Sequence, residues 1–342
     1  MRKKLLTFLL TTVAVISLVG CSSSKYSKYV TVGEYENLKL TDTSGNQEAT
    51  YSQDDIDRTI RENICIKTPT LLKQTKKPIT DKNCVSFEGK IKVNKETSDF
   101  SLSNKMIEEM SQIEGLKEGL MGHSVGEKLK IKVKINGQSL TANVKITSVT
   151  NDPLSVLTDA WVNKNDEEYK SKTVKEYKSN IKNYLKTTAE NTNKSNKISV
   201  ITNEIVKNSK VIKYPENAVS NELKCAKKQY KQMGKMYNIN IKENIMQQNN
   251  LKTDKEYETF LNKIAKQETK RNLVFNRIAE IEKLTPSEDT YKKEIKTYKK
   301  EHKNSYDAYE IVGEKVVKQY ILNEKVENWL YTHNTVNFET KK

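Results

Sequence analysis

The stretch "IEGLKEGLMGHSVGEKLKIKV", residues 113–133, reads as three pieces in succession: an apolar helical turn, a glycine-bounded turn and a strand. In the last piece lysines alternate with Leu129, Ile131 and Val133, the period of a strand with one face buried. The same alternation recurs on both sides. Residues 83–93, "NCVSFEGKIKV", and residues 128–135 and 140–149 read as strands, the last two joined by Asn136-Gly137, a tight-hairpin dipeptide. Residues 30–43, "VTVGEYENLKLTDT", hold short alternating runs and are expected to form a strand. Next comes "TYSQDDIDRTIRENICIKT", where Ser52 precedes an acidic first turn and Ile56, Ile60 and Ile64 recur every four residues: a short capped amphipathic helix. Residues 30–150 therefore predict a small antiparallel sheet with one or two helices.

After Pro153 the character changes. One glycine, Gly234, occurs before position 300, and long lysine- and glutamate-rich segments carry helical period. Val219, Leu223, Ala226, Tyr230 and Met233 mark one face. Phe260, Ile264, Phe275, Ile278 and Ile281 mark a second, and Tyr306, Tyr309, Val316, Tyr320 and Trp329 a third. Tyr214-Pro215 and Thr285-Pro286 separate the helical runs. The fold class expected is α+β: a small antiparallel head followed by an α-helical body.

The N-terminus carries an address. Arg2, Lys3 and Lys4 precede the apolar run Leu5–Val19, too short for a comfortable membrane span. The run closes on Leu18-Val19-Gly20-Cys21, which resembles the lipobox of bacterial lipoproteins. That resemblance implies a signal peptide over 1–20 and acylation of Cys21, with residues 21–29 as a polar tether. The implied location is the extracytoplasmic face of the cell membrane of a Gram-positive bacterium. Removing the three basic residues takes the formal charge from +16 to +13. Lysine is spread along the chain, with no basic run interleaved with aromatics in the manner of a nucleic-acid platform. With Cys21 acylated, Cys65, Cys84 and Cys225 remain. Three thiols allow at most one internal disulfide, with Cys65–Cys84 the pair to consider; otherwise they are buried thiols. His123, His302 and His333 lie far apart, without metal-ligand spacing, and no cofactor fingerprint occurs.

The order of phrases resembles a known family. "VTVGEYENLKL", "SQDDIDRTIREN", the sheet region, "DPLSVLTDAWV", "KTVKEYKSNIKNYL", "VIKYPENAVSNEL" and "EIEKLTPSEDTYKKEI" follow one another as in trigger factor, the bacterial folding chaperone. The opening stretch, 113–133, resembles the helix-and-turn signature of FKBP-type prolyl isomerases. The resemblance implies a linker strand and helix over 30–78, an FKBP-like domain over 79–150 and a helical chaperone domain over 151–342. The family's ribosome-docking domain has no counterpart in the sequence after Cys21, so a membrane-mounted chaperone with no ribosome partner is implied. It would bind unfolded or newly secreted chains without ATP, since no nucleotide-binding motif is present.

An FKBP-type pocket holds the proline ring in an aromatic bowl that favours the twisted amide, a case of differential transition-state binding. Phe87, Phe100 and Ile113 match its wall. Its usual floor aromatic is Leu116 here, in Ile113-Glu114-Gly115-Leu116, and Glu114 stands where the family has proline. The hairpin that usually supplies a tyrosine hydroxyl is cut to "KINGQSL", and the phenylalanine of the last strand falls near Ala142. The residual pocket is Phe87, Phe100, Ile113 and Leu116, and little isomerase activity is expected. An active FKBP-type peptidyl-prolyl cis-trans isomerase is the alternative. Chaperone cleft candidates are Met233, Met236, Tyr237, Ile239, Ile241, Ile245 and Met246, whose run fits no single helical face, so that a helix tip packed on its neighbour competes with a client-binding surface. A solute-binding lipoprotein would need two α/β lobes, against which the helical second half argues.

Overall fold

The computed structural model describes residues 24–44, 47–93, 96–135 and 137–339. The leader, Cys21 and Asn136 lie outside the described residues. The architecture is α+β, with elements in this order: β1 (Val30–Thr31), β2 (Lys39–Asp42), α1 (Gln53–Lys67), β3 (Cys84–Val93), β4 (Glu96–Asp99), β5 (Leu102–Met106), α2 (Leu116–Leu120), β6 (Lys128–Ile135), β7 (Gln138–Val149), α3 (Asp159–Asn165), α4 (Val174–Asn208), β8 (Lys210–Val211), α5 (Ala218–Tyr237), α6 (Ile241–Gln248), α7 (Asp254–Ile281), α8 (Glu288–Glu301), α9 (Tyr309–Val312), α10 (Glu314–His333) and β9 (Thr335–Phe338).

The chain packs as two units. One is Gln47–Asn196; the other combines the described residues before it with those from Lys197 on. The expected FKBP-like stretch, 79–150, lies within the first unit, and the expected body stretch, 151–342, contributes to both.

In the Gln47–Asn196 unit the sheet order is β4-β3-β7-β6, all antiparallel, and the ten-residue β3 also pairs with β5 along its first half. Ile135 pairs with Gln138, so the β6–β7 loop is two residues long, and Gly137 takes φ +77°, as a primed hairpin turn requires. One face buries Val85, Phe87, Ile91, Ile131, Val133, Val144 and Ile146 against Leu116 and Leu120 of α2. These are the alternate strand positions that the sequence pattern marks.

Helix α1 begins on a reciprocal cap. Ser52 Oγ accepts from the Asp55 N–H at 3.2 Å, and the Asp55 carboxylate accepts from the Ser52 N–H at 2.8 Å. The Ser52 hydroxyl also donates to that carboxylate at 2.7 Å, and this bond, with the Ser52 N–H behind it, holds the Asp55 carboxyl below the usual carboxylate range. The helix buries Ile56, Ile60 and Ile64 beside Trp161, Tyr177 and Ile181. Cys65 on this helix and Cys84 at the start of β3 form a disulfide with a Cα–Cα distance of 6.2 Å. Cys225 is a buried free thiol.

The other unit is held at its ends by strands far apart in sequence. β1 pairs antiparallel with β8, and β2 runs parallel to β9. Val30 enters a core with Ile201, Ile205, Phe275, Ile278, Val326 and Leu330. Two of the expected helical stripes are shifted. On α7 the buried line is Tyr257, Leu261, Ala265, Leu273, Val274, Phe275 and Ile278, whereas Phe260 and Ile264 are half-buried and Ile281 is exposed. The third stripe is broken, because Gly313 at φ +85° separates α9 from α10, and α10 buries Val317 and Ile321 in place of Val316 and Tyr320. On α5 the expected face is half-buried, and Cys225 is its one buried residue. Periodicity alone fixed the helices here; the neighbours they meet fixed the phase.

The sequence assigns residues 21–29 to a tether, but its described part is bound. Ser24 Oγ donates to the Glu280 carboxylate at 2.6 Å, as do the N–H groups of Lys25 at 2.6 Å and Tyr26 at 3.3 Å.

Candidate peptide-binding surfaces

The head residues named from the sequence do gather. Phe87 and Leu116 are in the sheet core, and Phe100 and Ile113 pack against it. The Phe87 and Phe100 rings lie 5.5 Å apart, tilted by 41°. Yet Phe87 is 2 % exposed and Leu116 is 0 % exposed, so neither presents a ring or methyl surface to solvent. Ala142, near which the FKBP resemblance places a last-strand phenylalanine, is also fully buried. Phe100 alone among the aromatics of this cluster keeps part of its surface open, and its N–H donates to the Gly89 carbonyl at 2.9 Å.

The segment Ile113-Glu114-Gly115-Leu116 has a visible structural role. The Glu114 carbonyl accepts from the Lys134 N–H at 2.9 Å, stitching the segment onto β6. Gly115 sits at φ +86°, and a Cβ there would run into the Lys132 carbonyl oxygen. The glycine of this motif is therefore demanded by backbone packing.

The second surface is the turn between α5 and α6. Helix α5 ends on Asn238 in the left-handed conformation at φ +51°, its N–H bonding the Gly234 carbonyl. Gly234 lets the chain fold back, since a Cβ there would lie 2.9 Å from the Ile239 carbonyl oxygen. Asn240 then caps α6, accepting from the Glu243 N–H at 3.3 Å, and Thr253 caps α7. The turn throws Met236, Tyr237 and Ile239 outward, at 42 %, 60 % and 44 % exposure. Met233, Ile241, Ile245 and Met246 are half-buried among α5, α6 and α7. The candidates thus divide: four pack the tip and three face solvent. Behind them an open groove of about 620 Å³ runs between Tyr230, Gly234, Ile239, Ile241 and Tyr257, and lysines 227, 231, 235 and 242 line it as well. Lys242 pairs with Asp254 at 2.8 Å and Lys227 with Glu258 at 2.7 Å, tying the tip to α7.

Sequence reasoning missed a polar seam lower in the same unit. Asn276 Nδ2 donates to Gln319 Oε1 at 2.9 Å, Gln319 Nε2 to Asn323 Oδ1 at 2.8 Å, and Asn323 Nδ2 to Asn272 Oδ1 at 3.1 Å. The signal was present as carboxamides four apart on each helix. Gln229 of α5 donates to Tyr320 Oη at 3.2 Å, and burial with nearby Glu222, Cys225 and Asp307 pushes the Tyr320 hydroxyl up to about 12. Burial first, then Glu268, also raises the Glu222 carboxyl.

Residues 173–332 match the family model for the C-terminus of bacterial trigger factor, a span from just before α4 nearly to the end of α10. The chain is trigger-factor-like. The trigger factor of Ureaplasma urealyticum serovar 10 is 25 % identical to it over 237 residues, which is 66 % of this chain and 50 % of that protein. The trigger-factor-like chain thus spans about half the length of this curated relative. A solved structure from work on promiscuous substrate recognition in folding and assembly by the trigger factor chaperone covers 87 % of this chain. It matches over 73 % of its own length, at 13 % identity and a TM-score of 0.36.

Proposed function

We propose that this trigger-factor-like protein is a chaperone for unfolded or newly secreted chains, working without ATP and held by acyl chains on Cys21 at the outer face of the cell membrane. The observation that carries the chaperone reading is the trigger-factor-type helical region with three solvent-facing apolar side chains, Met236, Tyr237 and Ile239, on one capped turn. Flexible methionine and an amphipathic tyrosine suit partners of varied sequence. The head serves as a folded support whose isomerase pocket is degenerate. In favour stand the closed Phe87 and Leu116, the alanine at 142 and the two-residue hairpin. The Cys65–Cys84 disulfide favours an oxidising compartment, hence export.

Half-exposed side chains of this size contribute on the order of 2–4 kcal/mol together when a client covers them. The triple substitution Met236→Ser, Tyr237→Ser, Ile239→Ser is therefore expected to weaken suppression of client aggregation at least tenfold, with stability changed by less than about 1 kcal/mol. Full holding activity in the folded variant would remove the tip from the mechanism. The whole chain is needed for this assay, because a fragment 151–342 lacks β1 and β2, the partners of β8 and β9. For the anchor, Cys21→Ser is expected to release the protein from the membrane fraction or leave its precursor uncleaved. Wild-type fractionation and mobility would rule out acylation there.

A further inference from the structure

The docked N-terminal segment gathers charges that are scattered in the sequence. Ser24 to Tyr29 lie across the end of α7: Glu280 accepts from Ser24, Lys25 and Tyr26, and Arg277 donates to Ser24 Oγ. On the other side the Tyr29 carbonyl accepts from the Ile212 N–H at 2.8 Å, joining the segment to the loop after β8. Lys25, Lys28, Lys210, Lys213 and Lys283 are all exposed around this junction. Among the described residues none of the five has an ion-pair partner, although lysines elsewhere on the surface do. Two neighbouring acids are occupied, Glu280 as above and Glu282 by the Tyr35 hydroxyl at 2.6 Å. Between the lysines stand Ile212 at 55 % and Ile281 at 38 % exposure, with Tyr214 at 38 %. Lysine, tyrosine and isolated isoleucine form the mixture suited to a headgroup layer.

Chain length supplies the occupant. Ser24 is three residue steps from Cys21, and three extended steps reach about 10–11 Å. With Cys21 acylated, Ser24 stands within about 10–11 Å of the bilayer, comparable with the Debye length of ~8 Å at physiological ionic strength, so attraction at this face is only partly screened. We propose that this face, built from the Ser24–Tyr29 segment, the loop after β8 and the end of α7, lies against anionic phospholipid headgroups. The acyl chains on Cys21 then do not end in a swivel; they seat this unit on the membrane by a defined face. The inference rests on the anchor proposed above, but its test does not.

A chain beginning at Ser22 carries every described residue and no acyl chain. It is mixed with vesicles of equal parts phosphatidylglycerol and phosphatidylcholine, or of phosphatidylcholine alone, and co-sedimentation is measured at low and high salt. Binding to the anionic vesicles alone, lost at high salt, is expected. Each lysine near an anionic surface contributes about fivefold in partitioning, so Lys28→Glu with Lys213→Glu is expected to reduce it at least tenfold. Lys263→Glu with Lys266→Glu makes the same charge change at exposed sites on α7, Lys266 lying about 20 Å along the helix from Glu280. That control is expected to alter binding less than twofold. Equal losses in the two variants, which would mean attraction by net charge alone, overturn the proposal, as does absence of binding to anionic vesicles. Failure of the anchor reading would show separately, as unchanged fractionation of Cys21→Ser in cells.

Discussion

Phe87→Ala is expected to destabilise the Gln47–Asn196 unit by about 3–5 kcal/mol, the cost of truncating a buried phenylalanine and leaving a cavity. The residue is 2 % exposed, packs its ring at a tilt against Phe100 and sits between Val85 and Ile91 in the sheet core. Chemical unfolding followed by circular dichroism reads this directly, and a loss below about 1 kcal/mol would mean that the side chain lines an open bowl after all. The same burial makes Phe87→Ala a poor probe of catalysis, because any effect on rate would be confounded with unfolding. Phe100→Ala is the better probe. Uncatalysed rotation about an X–Pro bond takes tens to hundreds of seconds. Protease-free relaxation of a Leu-Pro peptide is expected to keep that rate in the presence of the wild-type protein. A clear acceleration abolished by Phe100→Ala would make the head an enzyme.

The second large effect is expected at the disulfide. Cys65 and Cys84 lie 19 positions apart, and closing a loop of this size constrains the unfolded chain by about 3 kcal/mol. The double variant Cys65→Ala, Cys84→Ala is therefore expected to lose about that much stability, and for a unit of this size its melting temperature should fall by roughly 6–12 °C. Both sulfurs are buried, with Met106 Sδ 3.8 Å from Cys84 Sγ, so a mild reductant should leave the folded protein unchanged. Reduction in denaturant followed by refolding should reproduce the variant's stability. Identical melting of wild type and variant under oxidising conditions would show that the pair is not joined in solution.

These cases show where sequence reading stopped. Alternation in β3, β6 and β7 was legible because a strand with one face on a core needs apolar residues at every second place. The capped α1 was equally plain, since Ser52, the acids and the isoleucines each meet a separate local requirement. The helical body was legible as helices but not in phase: on α7 both Phe260 and Tyr257 satisfy a helical period, and only packing against neighbouring helices selects Tyr257 and Leu261. For the candidate pocket, matching residue types identified which side chains meet but not whether they meet around a space. Phe87, Phe100, Ile113 and Leu116 do cluster, and two of them are closed off by the sheet and α2.

The sequence by itself determined the strands of the head, the capped first helix, the hairpin, the helical nature of the body and its trigger-factor-like order of parts. These depend on short-range rules: side-chain period, cap chemistry and turn conformation. Only the tertiary structure decided that Cys65 meets Cys84, that Met236, Tyr237 and Ile239 face outward while Met233 and Ile245 pack, and that Ser24–Tyr29 are docked on Glu280 among five lysines with no ion-pair partner among the described residues. Each of these depends on which distant segments share a surface, and burial of apolar area is non-directional, so no local pattern specifies the partner.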